Sequence, residues 1–448
     1  MATQVTETSS QFELLRQRRF LPFFITQFLG AFNDNAFKNA LIILIAFQGV
    51  DQSAESSRLL VNVSAALFIA PFFLFSSTAG QIGDSFEKAM LIRAIKLAEV
   101  IIMLIAAIGF VTQSVAVLLV VLFLMGTQSA VFGPVKYGYL PRQLTEHELV
   151  GGNGLVGMGT FLAILLGMIV GGYLMALNGA GLWVSVLVLL VASGGYLSAR
   201  RIPLTPAQEP GLAINWNIFT QTWKTIELTR SNRTVFLCVL AISWFWFLGA
   251  TYMVQLPNYT REILHANETV YIFLMTLFCI GIGIGSMLCE SLSRHRVETG
   301  LIPLGAIGLT AFGIDLYFAT PQTGTKGLLM EFDEFIRQAG SWRTAMDIVG
   351  IGVFGGFYIV PLFAVVQQRT EKTILSRVIA GNNILNALFM VVAAILAIIL
   401  LGPLGLQEDE LFLCLVLMNI AVVGLIFFLV PEFLQRFRGW LASRLGNG

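Results

Sequence analysis

Charged and amide side chains are scarce in this chain of 448 residues. Where they interrupt an apolar run, they mark chemistry. The segment Asn33-Asp34-Asn35-Ala36-Phe37-Lys38-Asn39 lies inside one such run. Gln27, Asp34 and Lys38 are spaced so that on a helix they share one face. A charge inside a bilayer costs on the order of 2.5–3.5 kcal/mol on insertion scales, so it marks a site by default. The plainer alternative is that Asp34 and Lys38 pair with each other and serve structure alone. A second cluster is Phe132-Gly133-Pro134-Val135-Lys136-Tyr137-Gly138-Tyr139. Its glycine and proline loosen a helix, which lets Lys136 turn inward. The alternative there is an ordinary basic anchor at the membrane surface. Lys96 and Glu99, three residues apart, read as a local pair, and Asp315 and Asp347 as structural groups. The C-terminal half offers only Tyr252, Gln255 and Asn386, with no deep basic residue.

The elements that carry these groups follow from composition. Hydrophobic residues make up 56% of the chain and charged residues 12%, and the mean hydropathy is +0.80. A soluble domain carries about a quarter charged residues. A formal net charge of +1 argues against a nucleic-acid binder, and the apolar content excludes a disordered chain. Runs long enough to cross a bilayer are expected at 20–48, 59–82, 90–111, 114–134, 151–177, 180–199, 234–256, 269–289, 299–319, 347–367, 378–401 and 410–430. Most of the 27 lysines and arginines then fall on the side of the termini. Only Arg58, Arg261, Lys326, Arg337 and Arg343 fall on the other. That bias places both termini in the cytoplasm. The polar, basic first 19 residues are unlike a cleavable signal peptide.

Cys238, Cys279, Cys289 and Cys414 fall in or beside spans at spacings that suit neither disulfides nor zinc, and no metal or cofactor is expected. No nucleophile elbow or phosphate-binding loop occurs, so no catalytic residue is assigned.

The expected organisation is a tail (1–19), a six-helix half (20–199), a linker (200–233), a second six-helix half (234–430) and a C-terminal tail (431–448). In the linker Ile218, Phe219, Trp223 and Ile226 fall near one face of a predicted amphipathic helix. The halves echo each other: Gln27-Phe-Leu-Gly-Ala31 matches Trp246-Phe-Leu-Gly-Ala250, and Gly152-Asn153 matches Gly381-Asn382. Duplicated halves around a central site are a transporter architecture. Between spans 2 and 3, Gly80-Gln-Ile-Gly83-Asp84-Ser-Phe-Glu-Lys88 resembles the signature loop of the major facilitator superfamily. Physically it suits a gating latch: Gly80 permits close helix approach, and Asp84 can meet a cation or a helix N-terminus across the half interface. Lys88 supplies the basic position, while Glu87 stands where a basic or small residue is usual.

The run Phe20 to Asn35, the Gly80–Lys88 loop, Pro134-Val-Lys-Tyr-Gly138 and Asn153-Gly-Leu155 resemble the lysophospholipid transporter family, a branch of that superfamily in Gram-negative inner membranes. Gly355-Gly-Phe-Tyr-Ile-Val-Pro-Leu362 and the segment Arg377 to Asn386 extend the likeness, which is nearest to the carrier half of carrier–acyltransferase fusions. The resemblance implies an all-α membrane fold of twelve helices. It also implies inward flipping of lyso-phosphatidylethanolamine and lyso-phosphatidylglycerol for re-acylation by a cytoplasmic acyltransferase, and a monomer in contact with membrane lipid. The family's acidic residue in span 1 matches Asp34, and its lysine after span 4 matches Lys136. An anion suits the ammonium of a zwitterionic head group and a cation suits its phosphate, with Asn33, Asn35, Lys38, Tyr137 and Tyr252 as further candidates. Members with an arginine in span 7 differ from this chain, where Tyr252, Met253 and Gln255 stand. A short outer helix is expected over Leu328–Ile336, as in the fused relatives. The chain is not itself the acyltransferase: residues five after His147, His265 and His295 are Gly152, Val270 and Gly300, not aspartate. Two other readings stand beside this one: a proton-coupled exporter of a small hydrophobic molecule with Asp34 as proton carrier, and a non-transporting docking partner for an acyltransferase.

Overall fold

The structure is a computed structural model and describes residues 10–47, 54–293, 296–319 and 329–445. Each expected span is one helix. The N-terminal half contains α1 (Leu21–Phe47), α2 (Ala54–Ser85), α3 (Lys88–Val111), α4 (Val115–Gln143), α5 (Leu149–Met175) and α6 (Ala180–Ala199). After the linker helix α7 (Ile218–Arg230), the C-terminal half contains α8 (Arg233–Asn258), α9 (Glu268–Ser293) and α10 (Leu301–Ala319). It continues through the short α11 (Phe332–Arg337) to α12 (Ala339–Arg369), α13 (Leu375–Leu401) and α14 (Glu408–Leu429), and α15 (Pro431–Leu445) ends the chain.

Among the described residues, 11 helices are long and apolar enough to cross a membrane. The remaining long helix, α1, carries the Asn33–Asn39 cluster. Helix α4 runs well past its expected end, through Pro134 and Pro141. Proline frees a backbone carbonyl, and a membrane helix tolerates this where its neighbours bury the position. The tight reversal between α3 and α4 is made at Gln113, whose φ of 55° lies in the left-handed region. Glu87 departs from the signature for a local reason. It N-caps α3, accepting the backbone N–H groups of Ala89 at 2.8 Å and Met90 at 2.6 Å.

Within the first half α1 packs on α5 and α6, α2 on α4, and α3 on α4 and α6. Within the second, α12 lies between α9 and α10, α8 contacts α12 and α13, and α14 contacts α10. The halves meet through α2 with α13, α5 with α9, and α4 with α13. Small residues permit these approaches. A Cβ on Gly154 would stand 2.5 Å from the Ser286 carbonyl oxygen, and one on Gly80 would stand 2.7 Å from Ala380 Cβ.

The two surface helices refine the expectations. In α7 the polar side is turned inward: Thr225 and Thr229 are buried, and Thr229 fills the space above Gly381 on α13. Phe219 and Trp223 point outward, at 85% and 70% exposure. The segment expected only as a basic tail folds as α15, because Phe433, Phe437 and Trp440 recur at helical spacing. Gly300 lets its backbone approach closely, with a Cβ there only 3.0 Å from Phe437 N. The predicted outer helix is α11, whose Phe332 ring meets Phe273 edge-on at 5.1 Å. Leu328, expected in that helix, lies outside the described residues.

Candidate functional site

The helix ends on the side where α1 begins and α14 ends are called here the termini face. Asp34 lies thirteen residues into α1, about 20 Å along its axis at ~1.5 Å per residue. One carboxylate oxygen, Oδ2, accepts a hydrogen bond from Ser129 Oγ of α4 at 2.7 Å. The other, Oδ1, is buried and has no hydrogen-bond partner among the described residues. Asp34 makes no ion pair with Lys38 among the described residues. The Lys38 ammonium instead sits 4.3 Å from the centre of the Phe68 ring on α2.

Beside Asp34 is a network that a local reading of α3 misses. Lys96 and Glu99 form a pair at 2.6 Å with side chains only 1% and 3% exposed. Glu99 also accepts Asn33 Nδ2 of α1 and Gln128 Nε2 of α4, each at 3.1 Å. Gly30 makes room for Lys96, since a Cβ there would fall 2.3 Å from its Nζ. The three-residue spacing correctly signalled a pair. The two amides come from other helices, and nothing in the local sequence of α3 announces them.

Lys136 of α4 is 9% exposed, and its Nζ donates to Gln27 Oε1 at 3.1 Å. Thr160 of α5 donates to the same oxygen at 3.0 Å. Among the described residues no carboxylate pairs with this ammonium. Gln27 precedes Asp34 by seven residues, so the two polar stations are about 10 Å apart along α1. Tyr137 stacks on Phe363 of α12, with ring centroids 4.4 Å apart and planes at 8°.

The other candidates are turned elsewhere. Asn33 faces Glu99. Asn35 donates to the Ala31 carbonyl of its own helix at 2.7 Å. Tyr252 is packed inside the second half against Phe412, with centroids 4.6 Å apart. Successive residues on a helix point about 100° apart, so the three consecutive residues Asn33, Asp34 and Asn35 cannot share a direction.

The latch residues cross the half interface. Asp84 is fully buried at the first turn of α13. It accepts the backbone N–H of Ser376 at 3.0 Å, that of Arg377 at 3.3 Å and the Arg377 side chain at 3.1 Å. A helix N-terminus and a guanidinium thus converge on one carboxylate. Lys88 donates to the Gly83 carbonyl at 2.6 Å and to Ser376 Oγ at 3.2 Å. Glu209 of the linker also pairs with Arg377. On the opposite flank, Gln11 N donates to Glu290 of α9 at 3.0 Å, and Asn153 Nδ2 of α5 donates to Gln367 of α12 at 2.6 Å.

Among the described residues, every hydrogen bond and ring stack that joins the halves lies between the termini face and the level of the Phe161–Trp246 stack. On the far side, α13 turns Val392, Ile395 and Ile398 outward. Between the far ends of α8 and α13 lies a cavity of about 480 Å³ lined by Val254, Gln255, Asn258 and Ile398 among others. The hydrogen bonds and ring stacks between the halves are therefore gathered toward the termini face, and the far-face cavity lies within the second half.

Comparison with known proteins places this architecture. The chain is 28% identical over 378 residues to the Lysophospholipid transporter LplT of Cronobacter sakazakii, covering 83% of this chain and 84% of that protein. It is 29% identical over 370 residues to LplT of Escherichia coli O157:H7, covering 80% and 82%. Its fold is similar to the crystal structure of the human organic anion transporter MFSD10, with a TM-score of 0.71 at 13% identity over 92% of this chain and 98% of that one. It is also similar to the transporter FucP in its outward conformation, with a TM-score of 0.66 at 11% identity over 92% and 98%. The sequence pattern of the family described as Major Facilitator Superfamily matches residues 23–394. By that match and by its helical architecture, the chain belongs to the Major Facilitator Superfamily.

Proposed function

We propose that the chain is a secondary transporter that moves lysophospholipids from the outer to the inner leaflet of a bacterial inner membrane, with both termini in the cytoplasm. The observation that carries this reading is Asp34. It is a carboxylate about midway along a spanning helix, held by one hydroxyl and left with one unengaged oxygen. A lipid ammonium is the complement of that oxygen. Lys136 is the complementary cation for the phosphate. The P–O–C–C–N bridge of an ethanolamine head group is shorter than the distance between the two stations. Asp34 and Lys136 therefore act in succession as the halves rock, Asp34 nearer the far face and Lys136 nearer the termini face. The apolar far ends of α8 and α13 shelter the acyl chain. The names of the relatives support the same substrate class. Once inside, the lysolipid is the substrate for a separate cytoplasmic acyltransferase, and the carrier works as a monomer.

The test follows labelled lyso-phosphatidylethanolamine supplied to the outer leaflet of spheroplasts. Asp34→Ala abolishes uptake, while Asp315→Ala, whose partner is the exposed Arg343, leaves it intact. Uptake unchanged by deletion of the whole chain contradicts the proposal. Dye efflux that collapses with the proton gradient, without lysolipid uptake, assigns the protein to export instead.

A further inference from the structure

A second polar cavity lies away from α1, on the termini face. It is framed by the last turn of α9, the turn into α10, and α15. Its volume is about 660 Å³, and Arg296, Arg436 and Arg444 line it together with Glu298, Glu432 and Trp440. Both carboxylates are already engaged. Arg369 of α12 grips Glu432 with two nitrogens, at 2.8 and 2.5 Å. Glu298 accepts the Gly300 N–H at 3.0 Å. Arg296 and Arg436 are exposed, and neither forms an ion pair among the described residues. The wall behind them is fixed: the Trp440 indole and the Arg444 guanidinium both donate to the Leu292 carbonyl, at 3.0 and 3.1 Å.

The charge calls for an anion whose oxygens match a guanidinium fork, which is a phosphate. The surroundings decide where that phosphate comes from. From Leu292, at the pocket, an apolar stripe runs down α9 at four-residue spacing through Leu288, Ile284 and Ile280. These three are exposed on the helix surface, at 42%, 44% and 45%. Leu434 and Leu441 are also exposed on α15. A basic pocket at the membrane boundary, with an interfacial tryptophan and an apolar track into the bilayer, suits a lipid with its head group up and its chains down.

We propose that this pocket binds the phosphate head group of an anionic phospholipid from the leaflet on the termini face, with its acyl chains along Ile280, Ile284 and Leu288. The site is independent of Asp34 and holds a lipid that is not the cargo.

The test uses the full chain in neutral detergent, with bound phospholipid counted by native mass spectrometry. Dioleoyl-phosphatidylglycerol, dioleoyl-phosphatidylcholine and inorganic phosphate are the probes. Wild-type protein retains phosphatidylglycerol in preference to phosphatidylcholine. The double variant R296Q/R436Q binds phosphatidylglycerol roughly 30-fold more weakly. R261Q, exposed on the far face, binds as wild type. Leu288→Gln weakens retention of phosphatidylglycerol further along the track. If the double glutamine variant does not fold, as judged by its thermal midpoint, R296K/R436K keeps the charge, loses the fork and shows intermediate weakening. Equal retention of phosphatidylglycerol by wild type and the arginine variants overturns the proposal, as does equal affinity for phosphatidylcholine. Displacement of the lipid by millimolar inorganic phosphate, with no effect of Leu288→Gln, makes this a free-phosphate site and also overturns it.

Discussion

At the scale of single residues, the buried polar groups of α1, α3 and α4 divide into a satisfied set and an unsatisfied one. Glu99 has Lys96, Asn33 and Gln128 as partners, whereas Asp34 has one hydroxyl and Lys136 one amide. The first set is completed within the protein, and the second is the one that the proposed substrate would complete. Glu99→Gln strands the Lys96 ammonium in the membrane. Breaking such a buried pair costs on the order of 3–5 kcal/mol, so the variant shows a sharply lowered thermal midpoint in detergent. Replacing both partners, as in Lys96→Met with Glu99→Leu, recovers only part of that loss: two apolar side chains need no counter-ion, but the Asn33 and Gln128 amides lose their acceptor. A midpoint for Glu99→Gln equal to wild type contradicts this division. Asp34 and Lys136 were legible in the sequence because an ionisable residue in an apolar run is conspicuous. The reach of Glu99 was not, because its amide partners lie 66 and 29 residues away. Tyr252 shows the converse error. Its hydroxyl is visible in the sequence, but only the rotation of α8 decides that the ring meets Phe412 rather than the space between the halves.

At the scale of elements, two of the contacts on the termini face join helices through a carboxylate and a guanidinium. Asp84 ties the end of α2 to the start of α13. Asp84→Ala leaves two backbone N–H groups without their acceptor and removes one of the two carboxylates that hold Arg377, which favours parting of the halves on this side. A cysteine at Ser376, in a background lacking the four native cysteines, then gains labelling by a membrane-impermeant thiol reagent applied to the termini face. Labelling no faster than in the Asp84 parent contradicts the latch. The other contact anchors α15. The hydrogen bond from Arg369 holds the Glu432 carboxyl below the usual carboxylate range, against the upward pull of burial. A depressed value in the folded state means that the stabilisation is present above the unfolded value, near 4.5. It is lost as pH falls through the folded value. The pair is about a third exposed, so the effect is modest. The thermal midpoint of Glu432→Gln accordingly lies below wild type at neutral pH, and the gap closes in acid. A gap that persists in acid excludes the ion pair as its cause. The Asp84 contact was readable because Gly80, Asp84 and Lys88 fall within one stretch of nine residues. The α15 anchor was not, because Arg369 and Glu432 are 63 residues apart on helices whose mutual packing no local pattern encodes.

At the scale of the whole molecule, the length and order of the apolar runs carried the succession of helices. Every expected span is a helix within the bounds that proline and capping allow. Hydropathy underrates α1 alone among the long helices, and α1 is the helix that bears Asp34. The direction of opening was not legible. A carrier that alternates its access encodes both states in one sequence, and their free energies differ by only a few kcal/mol. The contacts of Asp84, Gln11, Asn153 and Tyr137 join the halves on one face, and the proposed transport depends on the Asp34 carboxylate within the membrane. The most direct test reconstitutes the purified chain in vesicles and follows fluorescent lyso-phosphatidylethanolamine added outside, by its loss of accessibility to an external quencher. Wild-type vesicles protect the lipid with time, while Asp34→Asn, folded and with an unchanged thermal midpoint, protects it at least about tenfold more slowly, the loss of one charge-assisted contact. Equal protection by wild type and Asp34→Asn contradicts the account.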